Sequence, residues 1–338
     1  MAMTIYDISK KAGVSIATVS RVLNGSENVR PSTRKKVMDV IDKYDYTPNA
    51  FARGMGLHSL KTIGILCADS SDLFLAKAVY FLEQELQANG YESLLCCTGY
   101  NPDIKKNYLN LILSKKVDSI ILVGSHFIGF NEDENQYIKD VSTQVPIMLL
   151  NASFDYPNVY STLCDDYGTM FEAATEMIQS GITDILYLYD SKSYSGLKKL
   201  HGFCDAMKEY NIPGFEKLIH FYDGNIEHLN EVADFVARIA TKGTSFHGIM
   251  TSDDSLAIGS IKYAQKKGIR IPEDLSVMGY NNSMLTNCCT PELTSVDNRL
   301  ETQTHQLVQT LLGVLAGEEM PKKSIFSGKI IKRGTTLF

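Results

Sequence analysis

From Lys61 onward, the chain alternates short apolar runs with longer amphipathic stretches. The run TIGILCA, for example, is followed by an amphipathic stretch at 76–89. Strands that are apolar on both faces and separated by helices form parallel sheets covered on both sides. Because there are too many such units for one sheet, the pattern predicts an α/β body with two doubly wound lobes. The predicted strands lie at 62–68, 93–97, 119–123, 146–150, 185–189, 249–250 and 275–279.

The charge of the chain is distributed unevenly along its 338 residues. Residues 1–60 contain nine Lys and Arg against five Asp and Glu, whereas the remainder contains 24 against 34. A basic segment on an acidic body indicates a polyanionic partner at one end, although a solvated surface accounts for the same charge equally well.

Several protein classes are excluded by the sequence. No stretch approaches the roughly 20 apolar residues of a membrane span, and no export signal opens the chain. The seven cysteines lack CxxC spacing, which argues against a disulfide framework and against a zinc site. We therefore expect a cytoplasmic protein with no membrane partner, no metal and no cofactor.

The first 46 residues predict three short helices. The first runs from Ile5 to Lys11 and ends at Gly13, where a tight turn requires a positive φ. Ser15 caps the second helix, which reaches about Asn24, and Pro31 suits the first turn of the third.

The second helix has an apolar side and a solvent side. The apolar side carries Val19 and Val22, together with flanking Val14 and Leu23, and must pack inward. A short exposed helix with small residues and one arginine fits the major groove of DNA, but a generic helical hairpin shares this pattern. Ser15 and Thr18 suit phosphate contacts. The predicted solvent side consists of Ile16, Ala17, Ser20, Arg21 and Asn24.

Three runs, TIYDISKKAGVSIATVSRVLNG (4–25), VRPSTRKKV (29–37) and YTPNAFARGM (46–55), resemble the headpiece of the lactose/galactose repressor family. The resemblance implies a homodimeric repressor of sugar genes that binds a pseudo-palindromic operator in double-stranded DNA. It also implies that Ile16, Ala17 and Arg21 read bases. The same runs, together with the linker residue that follows the last of them, add Thr4, Tyr6, Asn49, Met55 and Gly56 to the expected DNA-binding set.

Residues 49–57 (NAFARGMGL) predict a short linker helix. Gly54 and Gly56 each weaken such a helix by about 1 kcal/mol relative to Ala. We therefore expect it to form only when two copies meet in a DNA minor groove. Met55 stands where the family places a wedging leucine, and Gly56 stands where alanine is usual.

The body resembles sensor domains of the periplasmic-binding-protein type through DSSDLF (69–74), YLNLILSKKVDSIIL (108–122), GYNN (279–282) and PELTSV (291–296). Ligands of such sheets bind beyond the carboxyl ends of the strands, which implies a small polar effector, such as a sugar, between the lobes. The expected effector-binding residues are Asp69, Ser70, Phe74, Asn151, Tyr189, Lys199, Asp253, Asn281 and Asn298.

Two departures from the family affect this pocket. Lys199 replaces an arginine, and it cannot form the planar two-pronged bond of a guanidinium. Asn281 and Asn282 replace a pair of aspartates, so we expect less negative charge there. For every Asn and Asp in the set, a strand-end turn or a helix cap is the alternative role.

These resemblances divide the chain into a helix-turn-helix headpiece at 1–46, a hinge at 47–60 and two lobes. The N-terminal lobe is predicted at 61–160 with 291–322, and the C-terminal lobe at 161–290 with 323–338.

Two rival functions remain, namely an enzyme and a solute-binding transport protein. The sequence contains no GxGxxG after a strand, no GxxxxGK[ST], no GxSxG and no HExxH. His126 and His201 are interpreted as core or surface residues rather than cleft residues. A transport protein would carry an export signal instead of a headpiece.

Overall fold

The N-terminal unit contains three helices, α1 (Ile5–Ala12), α2 (Ile16–Leu23) and α3 (Pro31–Lys43). The structure is a computed structural model that describes residues 3–23, 26, 28–46, 59–241 and 243–338. Gly13 ends α1 with a φ of 62°, and the Thr18 amide donates to Ser15 Oγ at 3.2 Å. The predicted turn and cap are therefore confirmed. The small core of this unit consists of Ile8, Ala12, Val19, Val22, Val29, Val37, Ile41 and Tyr46.

The first lobe of the body is a six-stranded sheet in the order β11-β5-β4-β3-β1-β2. Its strands are β1 (Thr62–Cys67), β2 (Glu92–Cys97), β3 (Ser119–Val123), β4 (Ile147–Leu150), β5 (Val159–Cys164) and β11 (Lys323–Phe326). The pairs β1/β3, β3/β4, β4/β5 and β5/β11 run parallel. The helices of this lobe are α4 (Leu73–Ala88), α5 (Pro102–Ser114), α6 (Gln136–Ser142) and α11 (Leu300–Leu315).

The second lobe is also a six-stranded sheet, in the order β12-β10-β9-β8-β6-β7. Its strands are β6 (Ile185–Tyr189), β7 (Ile219–Phe221), β8 (Gly248–Thr251), β9 (Ser276–Tyr280), β10 (Thr294–Asp297) and β12 (Lys329–Ile331). Only β12 runs antiparallel to its neighbour. The helices are α7 (Asp166–Gln179), α8 (Tyr194–Glu209), α9 (Leu229–Thr241) and α10 (Asp254–Lys267). No described helix is long and apolar enough to cross a bilayer.

The chain passes between the lobes three times, after β5, after β10 and after β11. These passages differ from the predicted lobe boundaries. Strand β10, predicted in the first lobe, pairs with β9 of the second sheet, and β11, predicted in the second lobe, pairs with β5 of the first. Each of these two strands is four residues long, too short for a clear polarity pattern, so the sequence does not specify which sheet it joins.

The core of the second lobe contains two fully buried tyrosines with different hydrogen bonding. The ring of Tyr187 stacks on Phe203 with centroids 4.5 Å apart, and its hydroxyl has no hydrogen-bond partner. The hydroxyl of Tyr280 instead donates to Asp166 Oδ1 at 2.6 Å. Tyr187 therefore buries a hydroxyl without a hydrogen bond, whereas the buried hydroxyl of Tyr280 is satisfied.

We predict opposite effects when each tyrosine is replaced by phenylalanine. Tyr187→Phe removes an unsatisfied buried hydroxyl and should be neutral or stabilise the fold by up to about 1 kcal/mol. Tyr280→Phe leaves an oxygen of buried Asp166 without its donor and should cost about 1–3 kcal/mol. The free energy of unfolding in urea measures both effects. A similar loss in the two variants would contradict this account of the core.

Candidate nucleic-acid interface and ligand cleft

The solvent side of α2 presents the residues that the sequence places there. Val19 and Val22 are buried, whereas Ile16 is 39% exposed and Ala17 and Arg21 are also exposed. Two small or branched side chains and one guanidinium therefore share an accessible helix face, and Ser20 of the same helix is half-buried. Asn24, Asn49, Met55, Gly56 and the predicted linker helix lie outside the described residues.

The remaining predicted DNA contacts lie at the starts of α1 and α2. Thr4 caps α1, since its hydroxyl donates to Asp7 Oδ2 at 2.6 Å and the Asp7 amide donates to Thr4 Oγ1. The hydroxyls of Ser15 and Thr18 lie 2.9 Å apart in a mutual hydrogen bond. Tyr6 is 69% exposed. These helix starts present backbone amides and hydroxyls, the groups that bind phosphate oxygens in other proteins.

A cavity of about 660 Å³ lies between the two lobes, at the carboxyl ends of their strands. It adjoins a smaller recess of about 90 Å³. The loops that follow strands of both sheets supply the lining, as expected for parallel sheets that face each other. Asp190 follows β6, Asp253 follows β8 and Asn281 follows β9 on one side, and His126 and Asn151 follow β3 and β4 on the other.

Six of the nine predicted effector residues line this cavity or its recess, and three do not. Ser70 and Asn298 lie outside both, and Tyr189 packs between Tyr187 and Phe221 instead. His201 is exposed on α8, whereas His126 lines both spaces, so the core or surface role proposed for His126 is wrong. The six lining residues are Asp69, Phe74, Asn151, Lys199, Asp253 and Asn281.

Asp253 and Asn281 belong to one chain of hydrogen bonds at the cleft. Asp253 caps α10 by accepting from the Ser255 amide at 2.7 Å, and its other oxygen accepts from Asn281 Nδ2 at 2.9 Å. Asn281 Oδ1 in turn accepts from Asn298 Nδ2 at 3.0 Å. Asp253 therefore both caps a helix and borders the cleft, and Asn298 orients Asn281 from behind.

Lys199 is the one lysine among the described residues that line the recess, and its ammonium group is already engaged. Its Nζ donates to the Ser252 carbonyl at 3.0 Å and lies 4.0 Å from the centre of the Tyr280 ring. Asp166 lies behind it and accepts from Ser195 Oγ at 2.5 Å and from Tyr280. Burial raises the pKa of Asp166 above its usual range.

Hydroxyl groups connect the two lobes across the cleft. Ser125 Oγ, in the first lobe, donates to Ser193 Oγ of the second at 2.8 Å, and Ser191 Oγ donates to the same atom. Ser191 Oγ also lies 3.4 Å from His126 Nε2. Burial, and next the charge of Lys105, lower the pKa of His126 to about 4, so the imidazole is neutral near pH 7.

The sequence analysis missed several lining residues, above all carboxylates. Asp190 directly follows a predicted strand, which is the same signal that pointed to Asp253. Asp72 caps α4 by accepting from the Leu75 amide at 2.8 Å, and Tyr100 lies three residues beyond β2. The two asparagines at 281 and 282 lower the charge only at their own positions, because the described lining contains six carboxylates from other loops. These are Asp69, Asp72, Asp190, Asp223, Glu227 and Asp253.

The lining carboxylates repel one another. Burial, and to a smaller extent the facing charges of Asp253 and Asp190, raise the pKa of Asp72 to about 6 against the lowering effect of the Leu75 amide. Burial and then Asp190 likewise raise the pKa of Asp253. No group of three metal-ligating side chains in the described ranges is arranged to hold a metal ion.

Comparison with known proteins gives concordant matches. Residues 4–49 match the model of bacterial regulatory proteins of the lacI family, and residues 174–336 match a periplasmic binding protein-like domain. An HTH-type transcriptional regulator of Lachnoclostridium phytofermentans is 49% identical over 336 residues, covering 99% of this chain and 100% of that protein. Catabolite control protein A of Priestia megaterium is 33% identical over 88% of this chain and 87% of its own length.

Solved structures show the same fold at lower identity. The lac repressor dimer bound to operator and the anti-inducer ONPF superposes with a TM-score of 0.88 at 20% identity, covering all of both chains. This similarity extends the match from the headpiece to the whole of the two-lobed body.

We predict that Asp72→Asn changes how stability depends on pH. Below about pH 4 the carboxyl is protonated in both folded and unfolded chains, so its raised pKa costs nothing. Between about pH 4 and pH 6 the unfolded chain releases a proton that the folded chain retains, so the cost grows across this window and is fully present above about pH 6. A two-unit shift is worth up to about 3 kcal/mol, and the uncharged variant should be more stable by up to that amount.

Urea unfolding of both proteins between about pH 4 and pH 8 measures this difference. Asp155→Asn makes the same charge change at an exposed position and is the matched control. A stability difference between Asp72→Asn and wild type that stays constant across this range would contradict the prediction.

Proposed function

This chain belongs to the lacI family of bacterial regulatory proteins, and from that premise we propose that it is a homodimeric repressor of genes for sugar use, controlled by a polar effector in the cleft. As a member of this family it is a DNA-binding transcription regulator. The observation that carries the proposal is the 49% identity that extends over 99% of the chain, because it includes both the headpiece and the two-lobed body.

We infer that α2 reads the operator through Ile16, Ala17 and Arg21. These residues share the exposed side of a helix whose other side is held by the headpiece core. An arginine on such a face can give guanine O6 and N7 two parallel hydrogen bonds, and small apolar side chains fit against thymine methyl groups. A homodimer presents two such helices, which favours a pseudo-palindromic operator.

The effector is proposed to bind between the lobes at Asp253 and Asn281. Both follow buried strands, and their side chains are fixed by hydrogen bonds before any ligand arrives. Such preorganisation lowers the cost of binding. The hydrogen bond between Ser125 and Ser193 joins the two lobes beside the same cavity. A ligand bound there either replaces this hydrogen bond or adds further contacts between the lobes.

We infer that the protein catalyses no reaction and works in the cytoplasm, where the chromosome lies. The serine–histidine contact at the cleft has the wrong electrostatics for a nucleophile and its base. His126, with a pKa of about 4, is a weak base, and the cation behind it is Lys105 rather than a carboxylate that would stabilise the imidazolium.

Arg21→Ala should relax base preference at one position in each half-site. The expected loss is about 1–3 kcal/mol of discrimination at that base pair. Binding to a library of operator variants measures the preference. Lys35→Ala, an exposed lysine on α3, is the control and should change affinity without changing the preferred base. An unchanged preference in Arg21→Ala would refute the assignment.

Asp253→Ala and Asn281→Ala should each weaken effector binding by about 1–3 kcal/mol, because each removes a fixed hydrogen-bonding group. A thermal-shift screen of sugars first identifies a ligand, since native-state binding raises the melting temperature. Calorimetry then measures its affinity for each variant. Asp165→Ala, which loses the cap of α7 without altering the cavity lining, is the control. Wild-type affinity in both cleft variants would place the effector elsewhere.

A further inference from the structure

The cleft carries a concentration of negative charge. Six carboxylates line the cavity, and in the described part of the chain none of them forms an ion pair with a lysine or arginine. Asp72 on the first lobe and Asp253 on the second are each held by a helix-cap hydrogen bond, so neither side chain is free to turn away from the cavity. The cavity therefore presents a fixed concentration of negative charge.

The lysines near the cleft form no ion pair with these carboxylates, and the charge of Lys199 offsets that of Asp253 only in part. Lys199 donates to the Ser252 carbonyl and lies over the Tyr280 ring, and Lys105 donates to the His126 carbonyl at 2.6 Å. Lys192 lies 4.6 Å from the centre of the Phe221 ring and is exposed to solvent. His126 faces the cavity as a neutral ring at pH 7. The compensating cation is thus left for a ligand to supply.

We propose that the effector is a polyhydroxylated compound with a protonated amine, of the amino-sugar class, and that the cleft rejects sugar acids and sugar phosphates. This inference rests on the proposed function, because it assigns the chemical class of the effector to the same cleft.

Hydrogen-bond chemistry determines which class of ligand this lining favours. An ionised carboxylate only accepts hydrogen bonds, so a ligand must bring donors to this lining. Hydroxyls and ammonium groups donate, whereas a phosphate or carboxylate adds further acceptors and negative charge. A neutral sugar satisfies the acceptors but leaves the repulsion among partly buried charges in place. An ammonium group satisfies both demands, and its attraction is stronger in a partly desolvated cavity than in water.

The lining also suits the rest of such a molecule. Tyr100 and Phe221 present aromatic surface to the cavity, and Asn151 and Asn281 add amide groups that both donate and accept. An aromatic face attracts a cation, and it also packs against the apolar face of a sugar ring. A volume of about 660 Å³ falls within the range of small-molecule sites.

The test compares each parent sugar with an amine derivative, in which the 2-hydroxyl of each ring is replaced by an amine, and with an acid derivative, in which one hydroxymethyl group is oxidised to a carboxylate. Suitable triads are glucosamine, glucose and glucuronic acid; galactosamine, galactose and galacturonic acid; and deacetylated chitobiose, cellobiose and cellobiouronic acid. Thermal shift and calorimetry on the full-length protein at about pH 7 give the ranking. In at least one triad the amine should bind about tenfold or more tighter than the hydroxyl compound, with no binding of the acid.

Asp72→Asn and Asp190→Asn should lower the amine-to-hydroxyl affinity ratio, and Asp155→Asn should leave it unchanged. The proposal is overturned if a neutral or acidic member binds as tightly as its amine, if the ratio survives both cleft variants, or if no member binds. These outcomes are distinct from failure of the proposed function. An acidic ligand whose binding is lost in Asp253→Ala would refute the amine and keep the cleft, and operator binding is measured independently of either.

Discussion

Parallel strands can pair only if the chain returns to the same end before each new strand, and this constraint organises the body. It places the loop after every parallel strand at one edge of the sheet. Two such sheets therefore bring Asp190, Asp253, Asn281, His126 and Asn151 to one cavity from distant parts of the sequence. Local roles as caps and turn residues hold such side chains in place, so the cap role of Asp253 is compatible with the ligand contact proposed for it.

Those fixed carboxylates carry an electrostatic cost in the folded protein. The pKa of Asp72 is raised to about 6 by burial and by neighbours that are themselves acidic. Asp72 stabilises the start of helix α4 as its cap, while its charge repels the neighbouring carboxylates of the cleft. Sites that bind ligands often retain such conflicts, because the favourable term appears only when the ligand is present.

Local signals in the sequence predicted the elements that local chemistry determines. Gly13, the Ser15 cap and strands such as β1 and β3 are of this kind, because turn geometry and continuous burial leave a direct mark on residue type. Strands β7, β11 and β12 are short and lie at sheet edges, so their pattern is weak and their partners are not encoded nearby.

The residues that line the cavity follow the same division. Asp253 and Asn281 come directly after strong strands and were predicted, whereas Asp223 follows the unpredicted β7 and Asp72 and Glu227 lie in longer loops. Ser70 and Tyr189 are adjacent to lining residues but lie outside the cavity.

The three passages of the chain between the lobes have a mechanical consequence. A single connecting segment would let one lobe rotate freely about the backbone dihedral angles of a few residues. Three connections side by side resist both twisting and sliding, and bending about the line through them is the soft motion that remains. A ligand that binds in the cleft can then change the angle between the lobes along one bending motion only. Such a coupling gives the same displacement at the far side of the lobe each time, which is what a switch with two settings requires.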